Sequence, residues 1–463
     1  MHKWSPLVAV CLGTFLLLVD VTVVVVALPD IATSLGAGTG ELQWVLDGYA
    51  LALAALVLGA GSLADRYGRR RAYQIGLLIF GVSSLICAFA PDAATLIGAR
   101  VVQGIGGAAM YATTAALLNL TYQGRDRGVA FGVWGAVNGA AAAAGPIVGG
   151  LLTEHLGWHW IFLVNLPICA AAAWFTYRGV VESRAPRAGR FDVPGTVAFT
   201  VAAGALTYGL ISASTSGWGA GVTIGSFLTG LIGFIVFLVV ERRSDHPMLD
   251  LGLFRRPAFA SLIAAAFLTQ AAAFAVMPYT TVWLQRILGH GPVDAGLLGA
   301  LPMSLASLVV GVFAGRALQG VPARWTVGLG LLLVAAGDLL QTRVGDSSGG
   351  GVLIPGLILV GLGVGMVLPT MSSAILAEVP KERSGMAGGA MNAFRQLGFA
   401  FGVAVLGTVF GPASGEASGA ASFVDGLDAA LLIAAGLALV GAVVVLVFAR
   451  HREQASATAR LPG

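Results

Sequence analysis

Asp20, Arg100 and Arg395 each stand inside a long apolar run. A carboxylate in such a run can take up and release a proton. A guanidinium can hold that carboxylate ionised or meet an anionic partner. Ionisable groups in these surroundings are costly and mark ion or substrate paths. Asn138, Gln270 and Asn392 add amide groups to other apolar runs, and Asn392 lies one helical turn before Arg395. A different chemistry is offered by GSLADRYGRRRAY, residues 61–73, which gathers Asp65, Arg66, Arg69, Arg70 and Arg71 between two apolar runs. A carboxylate at such a boundary suits an exposed helix N-terminus, whose free N–H groups and dipole favour an anion. The arginines suit local partners or lipid phosphates.

These residues need membrane-crossing helices to position them. Of 463 residues, 57% are hydrophobic and 10% charged, against about 25% charged in a soluble chain. A water-soluble fold could not hide that much apolar surface. Windows of about 20 apolar residues fall at 7–29, 44–64, 72–90, 94–118, 128–152, 159–178, 194–213, 220–240, 257–284, 293–315, 323–342, 352–377, 385–410 and 427–449. The first is too long for a signal-peptide core and is read as a retained span.

Cations gather after the even-numbered windows: Arg66 to Arg71, then Arg125 and Arg127, Arg184 to Arg190, Arg242 to Arg256, Arg316 and Arg324, Lys381 and Arg383, and finally Arg450 and Arg452. The odd-numbered loops hold Asp30, Glu41, Asp92, Glu154, Asp294, Glu416 and Asp425, with Arg286 and Arg343 as their cations. That asymmetry predicts both termini in the cytoplasm. On this orientation Asp20 and Arg100 each lie about 9 Å from the outer edge of a ~30 Å core. They are opposite charges at one depth and pair directly or through water. Arg395 falls near the midplane and Asp338 in the outer third. Gly145 and Pro146 predict a kink in the fifth span, because proline removes an N–H and frees a carbonyl. Gly149 and Gly150 let a neighbouring helix approach closely.

The motifs fall into a recognisable series. Gly61, Asp65, Arg66, Gly68, Arg69 and Arg70 resemble the cytoplasmic signature G-x-x-x-D-R-x-G-R-R of the major facilitator superfamily. ARVVQGIGGAA on the fourth span, with Arg100, Gln103, Gly104 and Gly106, resembles its R-x-x-Q-G-x-G motif. GPIVGG, residues 145–150, resembles the antiporter motif G-P-x-x-G-G. LVDVTVVVVALP, residues 18–29, resembles the first-span motif of its fourteen-span drug:proton antiporters. Val25 departs from the usual Asn there, and His159 stands where an Arg is common.

The resemblance implies an all-α membrane protein with two six-helix bundles and a two-helix insert. Its divisions would be 1–178 for the first bundle, 179–256 for linkers and insert, 257–449 for the second bundle, and 450–463 for a cytoplasmic tail. It implies a monomeric, proton-coupled antiporter in the plasma membrane that exports lipophilic small molecules by alternating access. Asp20 and Arg100 would couple protons. Asn138, Gln270, Asn392 and Arg395 would line the substrate cavity. Asp65, with its glycines and arginines, would clamp the cytoplasmic side against the thirteenth span at Ser384. Gly145, Pro146, Gly149 and Gly150 would shape the outer gate.

Other classes find little support in the residues. Cys11, Cys87 and Cys169 lie apart inside apolar runs, as packing residues rather than a disulfide or metal set. The net charge of +4 comes from short loops and not from one basic face, which disfavours nucleic acid. The glycine runs at 104–107 and 361–365 lie inside apolar spans and follow no strand, so they are not nucleotide loops. The NLT at 119–121 faces the cytoplasm and is not a glycosylation site. No phosphate-binding lysine motif, catalytic triad or cofactor motif is present, so neither an ATP-driven pump nor a membrane-embedded enzyme is expected. A nutrient symporter is the nearest rival, and GPIVGG disfavours it.

Overall fold

The computed structural model describes residues 3–184, 191–245, 247–317, 321–343, 349–413 and 420–449. Arg187, Arg190, Glu416, Arg450, Arg452 and the tail 450–463 lie outside them. Every regular element among the described residues is helical. The first half contains α1 (Ser5–Leu35), α2 (Thr39–Tyr67), α3 (Arg69–Ala88), α4 (Ala93–Thr121), α5 (Gly124–Leu156), α6 (His159–Leu163) and α7 (Asn165–Gly179). A hairpin of α8 (Val193–Ser216) and α9 (Gly221–Arg243) follows. The second half contains α10 (Pro257–Thr269), α11 (Met277–Val282), α12 (Pro292–Gly299), α13 (Leu301–Ala317), α14 (Ala323–Gln341), α15 (Ile354–Ala377), α16 (Ser384–Ala413) and α17 (Ala420–Phe448).

Twelve of these stretches are long and apolar enough to cross a membrane, and fourteen if each of two bent pairs counts as one span. They match the fourteen windows one for one. Several helices overrun their windows, because backbone hydrogen bonding continues past the apolar core; α1 runs on through Pro29 to Leu35. The ninth span is α10 and α11, interrupted by a π-helical turn at Gln270–Phe274 and ended by another at Trp283–Ile287. Such turns frequently accompany functional sites.

The bends have local causes. The fifth span bends by 44° between Gly124–Ala141 and Ala144–Leu156. Pro146 clashes with the carbonyl one turn before it, which places the break there. The tenth span bends by 45° between Val293–Gly299 and Leu301–Gly311. The bent walls meet: a Cβ on Gly296 would touch the Pro146 ring at 3.1 Å, and one on Gly150 would touch Val293 at 3.1 Å.

Glycine sets how closely the helices pack, since hydrophobicity alone gives little drive between spans in lipid. α3 crosses α4 at Gly76 and Gly106, and α14 crosses α15 at Gly330 and Gly363. The halves meet along two seams. At one, α2 packs on α16; at the other, α5 packs on α13. α8 rests on both α2 and α16 and so covers the first seam. Near the end of α2 that carries Asp65, α4 also meets α15 and α16, and α5 meets α15.

Candidate functional site

Five helical segments converge on Asp20. It is wholly buried on α1, and Arg100 of α4, 1% exposed, pairs with its carboxylate. Arg100 also donates to Gln103 Oε1 at 2.7 Å and to the Val45 carbonyl at 3.0 Å. Its guanidinium lies 4.4 Å from the centroid of the Tyr49 ring. Gln103 Nε2 donates to Asp20 Oδ1 at 3.0 Å and to Ser84 Oγ at 2.8 Å. Asn165 Nδ2 donates to Asp20 Oδ1 at 2.9 Å and to Ser84 Oγ at 3.2 Å. The sequence puts Asp20 and Arg100 at one depth; the structure joins them directly. Arg100 and Gln103 share a helix face, three residues apart. Ser84 and Asn165 complete the cluster from α3 and α7. The arrangement gives a buried carboxylate one ion pair and two amide donors.

A second cluster joins the halves. Asp65 ends α2 and accepts from the N–H groups of Gly385 and Met386, both at 2.8 Å, so it caps α16. Arg69 is buried beside it, ion-paired at 2.6 Å. The same guanidinium donates to the Glu382 carbonyl at 2.8 Å, across the halves. Gly61 faces the Gly385 carbonyl, where any side chain would collide. Gly68 turns the chain between α2 and α3 at φ 117°, a conformation glycine supplies without strain. Of the four arginines expected to meet local partners or lipid, Arg69 turns inward to the clamp. Arg70 donates to the Tyr177 carbonyl at 3.0 Å. Arg66 lies over the Tyr67 ring.

Two members of this cluster escaped the sequence reading. Glu182, beyond α7, accepts from the N–H groups of Arg70 and Arg71, each at 3.1 Å, and so caps α3. Arg127 at the start of α5 donates to the Ser373 carbonyl on α15 at 2.8 Å. A glutamate just beyond one span and an arginine at the start of another gave no signal that set them apart from other polar residues at span ends.

A third group lies between α4, α5 and α16. Arg395, 2% exposed, reaches Asn138 Oδ1 at 3.4 Å and Asn392 Oδ1 at 3.5 Å, and faces the Tyr111 ring at 5.5 Å. Its Nε has no partner. Asn392 Nδ2 donates to the Tyr111 carbonyl at 2.7 Å, and Asn138 Nδ2 to the Trp134 carbonyl at 2.8 Å. No acidic side chain among the described residues pairs with Arg395. Gln270 is buried in the first π-helical turn with Oε1 unpartnered, and no hydrogen bond joins it to the trio.

On α5, Gly145 packs on Thr22 and Gly149 on Val23, both of α1. Val25 is 51% exposed on α1, and His159 stacks on Trp158 with centroids 4.0 Å apart.

Comparison with known proteins gives this arrangement its context. The chain is 39% identical over 404 residues to the multidrug resistance protein Stp of Mycobacterium tuberculosis (strain CDC 1551 / Oshkosh), covering 87% of this chain and 75% of that one. It is 35% identical to the puromycin resistance protein pur8 of Streptomyces alboniger, covering 98% and 93%. It is 34% identical to the multidrug efflux pump LfrA of Mycolicibacterium smegmatis, covering 88% and 81%. The fold resembles that of the human organic anion transporter MFSD10 (TETRAN), with a TM-score of 0.69 at 18% identity, covering 96% of this chain and all of that one. The sequence profile of the Major Facilitator Superfamily matches residues 10–403 and 262–462. With that match and these relatives, the chain belongs to the Major Facilitator Superfamily.

Proposed function

We propose that this protein is a proton-coupled antiporter that exports lipophilic small molecules, such as drugs, dyes or antibiotics, by alternating access. The observation that carries the reading is the buried Asp20–Arg100 pair with its amide donors. Relatives named for multidrug and antibiotic resistance support the cargo class. The divisions are those of the family, with residues 1–178 and 257–449 as rocking bundles and 179–256 as the insert. Both termini lie in the cytoplasm, and the working unit is a monomer in the plasma membrane.

In this reading the Asp65 end is the cytoplasmic side, and its cross-half bonds hold that side shut in the state described. While it is intact, the Asp20–Arg100 pair joins the two buried side chains of α1 and α4 directly. Water admitted from outside and a change in distance weaken the pair and let a proton in. Protonation of Asp20 leaves Arg100 as a buried charge without its counter-ion, so the guanidinium must find other partners as the halves move. Breaking such a pair by removing one partner costs about 3–5 kcal/mol, which is why the proton and the movement must be linked.

The cargo path runs past Asn138, Asn392 and Arg395, where a midplane guanidinium without an acidic partner suits anionic or zwitterionic groups. The test is transport in inverted vesicles with an imposed proton gradient. Export corresponds to dye uptake into the vesicle lumen as protons leave it. Uptake that ignores the gradient, or transport with cargo and proton moving together, contradicts the reading.

A further inference from the structure

The two halves share a register fixed by glycine. A Cβ on Gly76 would meet the Gly106 carbonyl oxygen at 2.8 Å, and one on Gly330 would meet the Gly363 carbonyl oxygen at 2.9 Å. One helix away, Gly104 faces the Tyr49 carbonyl of α2, and Gly361 faces the Met303 carbonyl of α13. Counted from these crossings, Leu357 holds the place of Arg100, Val360 that of Gln103, and Asp338 that of Ser84. The second half therefore places a carboxyl group at the level of the Asp20 cluster. It stands on a different helix and lacks the arginine and the amide that serve Asp20.

The surroundings of Asp338 offer it no charge partner. It is 1% exposed, and Oδ2 has no hydrogen bond. Packed against α14, α15 and the turn Gln270–Phe274 carry no ionisable side chain. α17 runs antiparallel, with Gly328 against Leu446 and Leu331 against Gly441. Its Asp425 and Asp428 thus lie toward the Gln341 end of α14. On α14 itself, Arg324 is in the first turn, far from Asp338, and Gln341 Nε2 is used on the Gly337 carbonyl at 3.3 Å. No lysine or arginine among the described residues pairs with Asp338. A carboxyl group removed from water without cation or donor carries a proton in place of a charge.

We propose that Asp338 is a second proton-binding site, separate from Asp20, so that each half holds a carboxyl able to exchange a proton. The proposal rests on the proton-coupled reading above for its role in transport, but not for its chemistry. Binding forms one O–H bond on a carboxylate oxygen with a proton from water, and release returns that proton to water; no electrons are transferred.

Infrared spectroscopy of the purified full-length protein in lipid tests the site directly. The wild type should show the carbonyl-stretch band of a buried protonated carboxyl. The band should fall as the medium is made alkaline and return on acidification. Asp338→Asn should remove it, Asp20→Asn should leave it, and Asp338→Glu should shift it without loss, which separates a missing proton from misfolding. In proteoliposomes with ethidium as cargo, Asp338→Asn should lower the protons exchanged per dye by one. A band that survives Asp338→Asn, or is absent from the wild type, overturns the proposal. If the band behaves as expected but wild-type dye movement ignores the proton gradient, the Asp338 site stands and the proton-coupled reading fails.

Discussion

At the scale of single residues, the clamp rests on one carboxylate satisfying two helix N–H groups. Asp65→Asn keeps the shape but loses the charge. The interaction of a carboxylate with a helix N-terminus contributes about 0.3–1 kcal/mol, and up to ~2 when partly buried. Transport should slow, and cysteines placed on the Asp65 side should label faster. Unchanged labelling would show that Asp65 does not hold the halves together. Arg395→Ala should impair anionic cargo more than cationic cargo in vesicle uptake; equal losses together with lower thermal stability would make Arg395 a packing residue. The charged members of the Asp20 cluster were legible, because a carboxylate and a guanidinium at one depth in apolar helices are conspicuous. Ser84 was not, since a serine in an apolar span usually bonds its own backbone, as Ser83 does here. Arg69 could not be told from Arg66, Arg70 and Arg71 by type; only the fold turns it toward Asp65 and Glu382.

At the scale of elements, the kink in α5 and the cover given by α8 each predict a distinct failure. Pro146→Ala restores a backbone N–H and removes the steric clash that bends the helix. The expected result is a protein that folds as well as the wild type but leaks protons without cargo. A tight, normally coupled variant would show that the bend serves packing alone. Gly59 of α2 lies against Thr196 of α8, where an added Cβ would come within 2.7 Å of the threonine methyl. Gly59→Leu should lift α8 from the seam between α2 and α16, lowering thermal stability while leaving the Asp20 cluster intact. Span number and order were readable because twenty-residue apolar windows and loop charge carry them. The π-helical turns of the ninth span were not, since no local pattern of apolar residues distinguishes them from α-helix. Nor could composition show that the insert lies along one seam.

At the scale of the whole molecule, the proposed antiport requires that the Asp20 cluster of the first half and the Asp65 cluster between the halves answer each other. On that proposal, proton uptake at Asp20 favours the state in which the Asp65 contacts have opened. The most direct measurement is proton release from the purified protein on adding cargo, followed across pH in a lightly buffered solution with a pH indicator. The wild type should release protons when cargo binds. Asp20→Asn should still bind cargo but release fewer protons, by the share that Asp20 carries, and should lose transport driven by a proton gradient. Release equal to that of the wild type from Asp20→Asn, across the same pH range, would contradict the account and place the coupling carboxylate elsewhere.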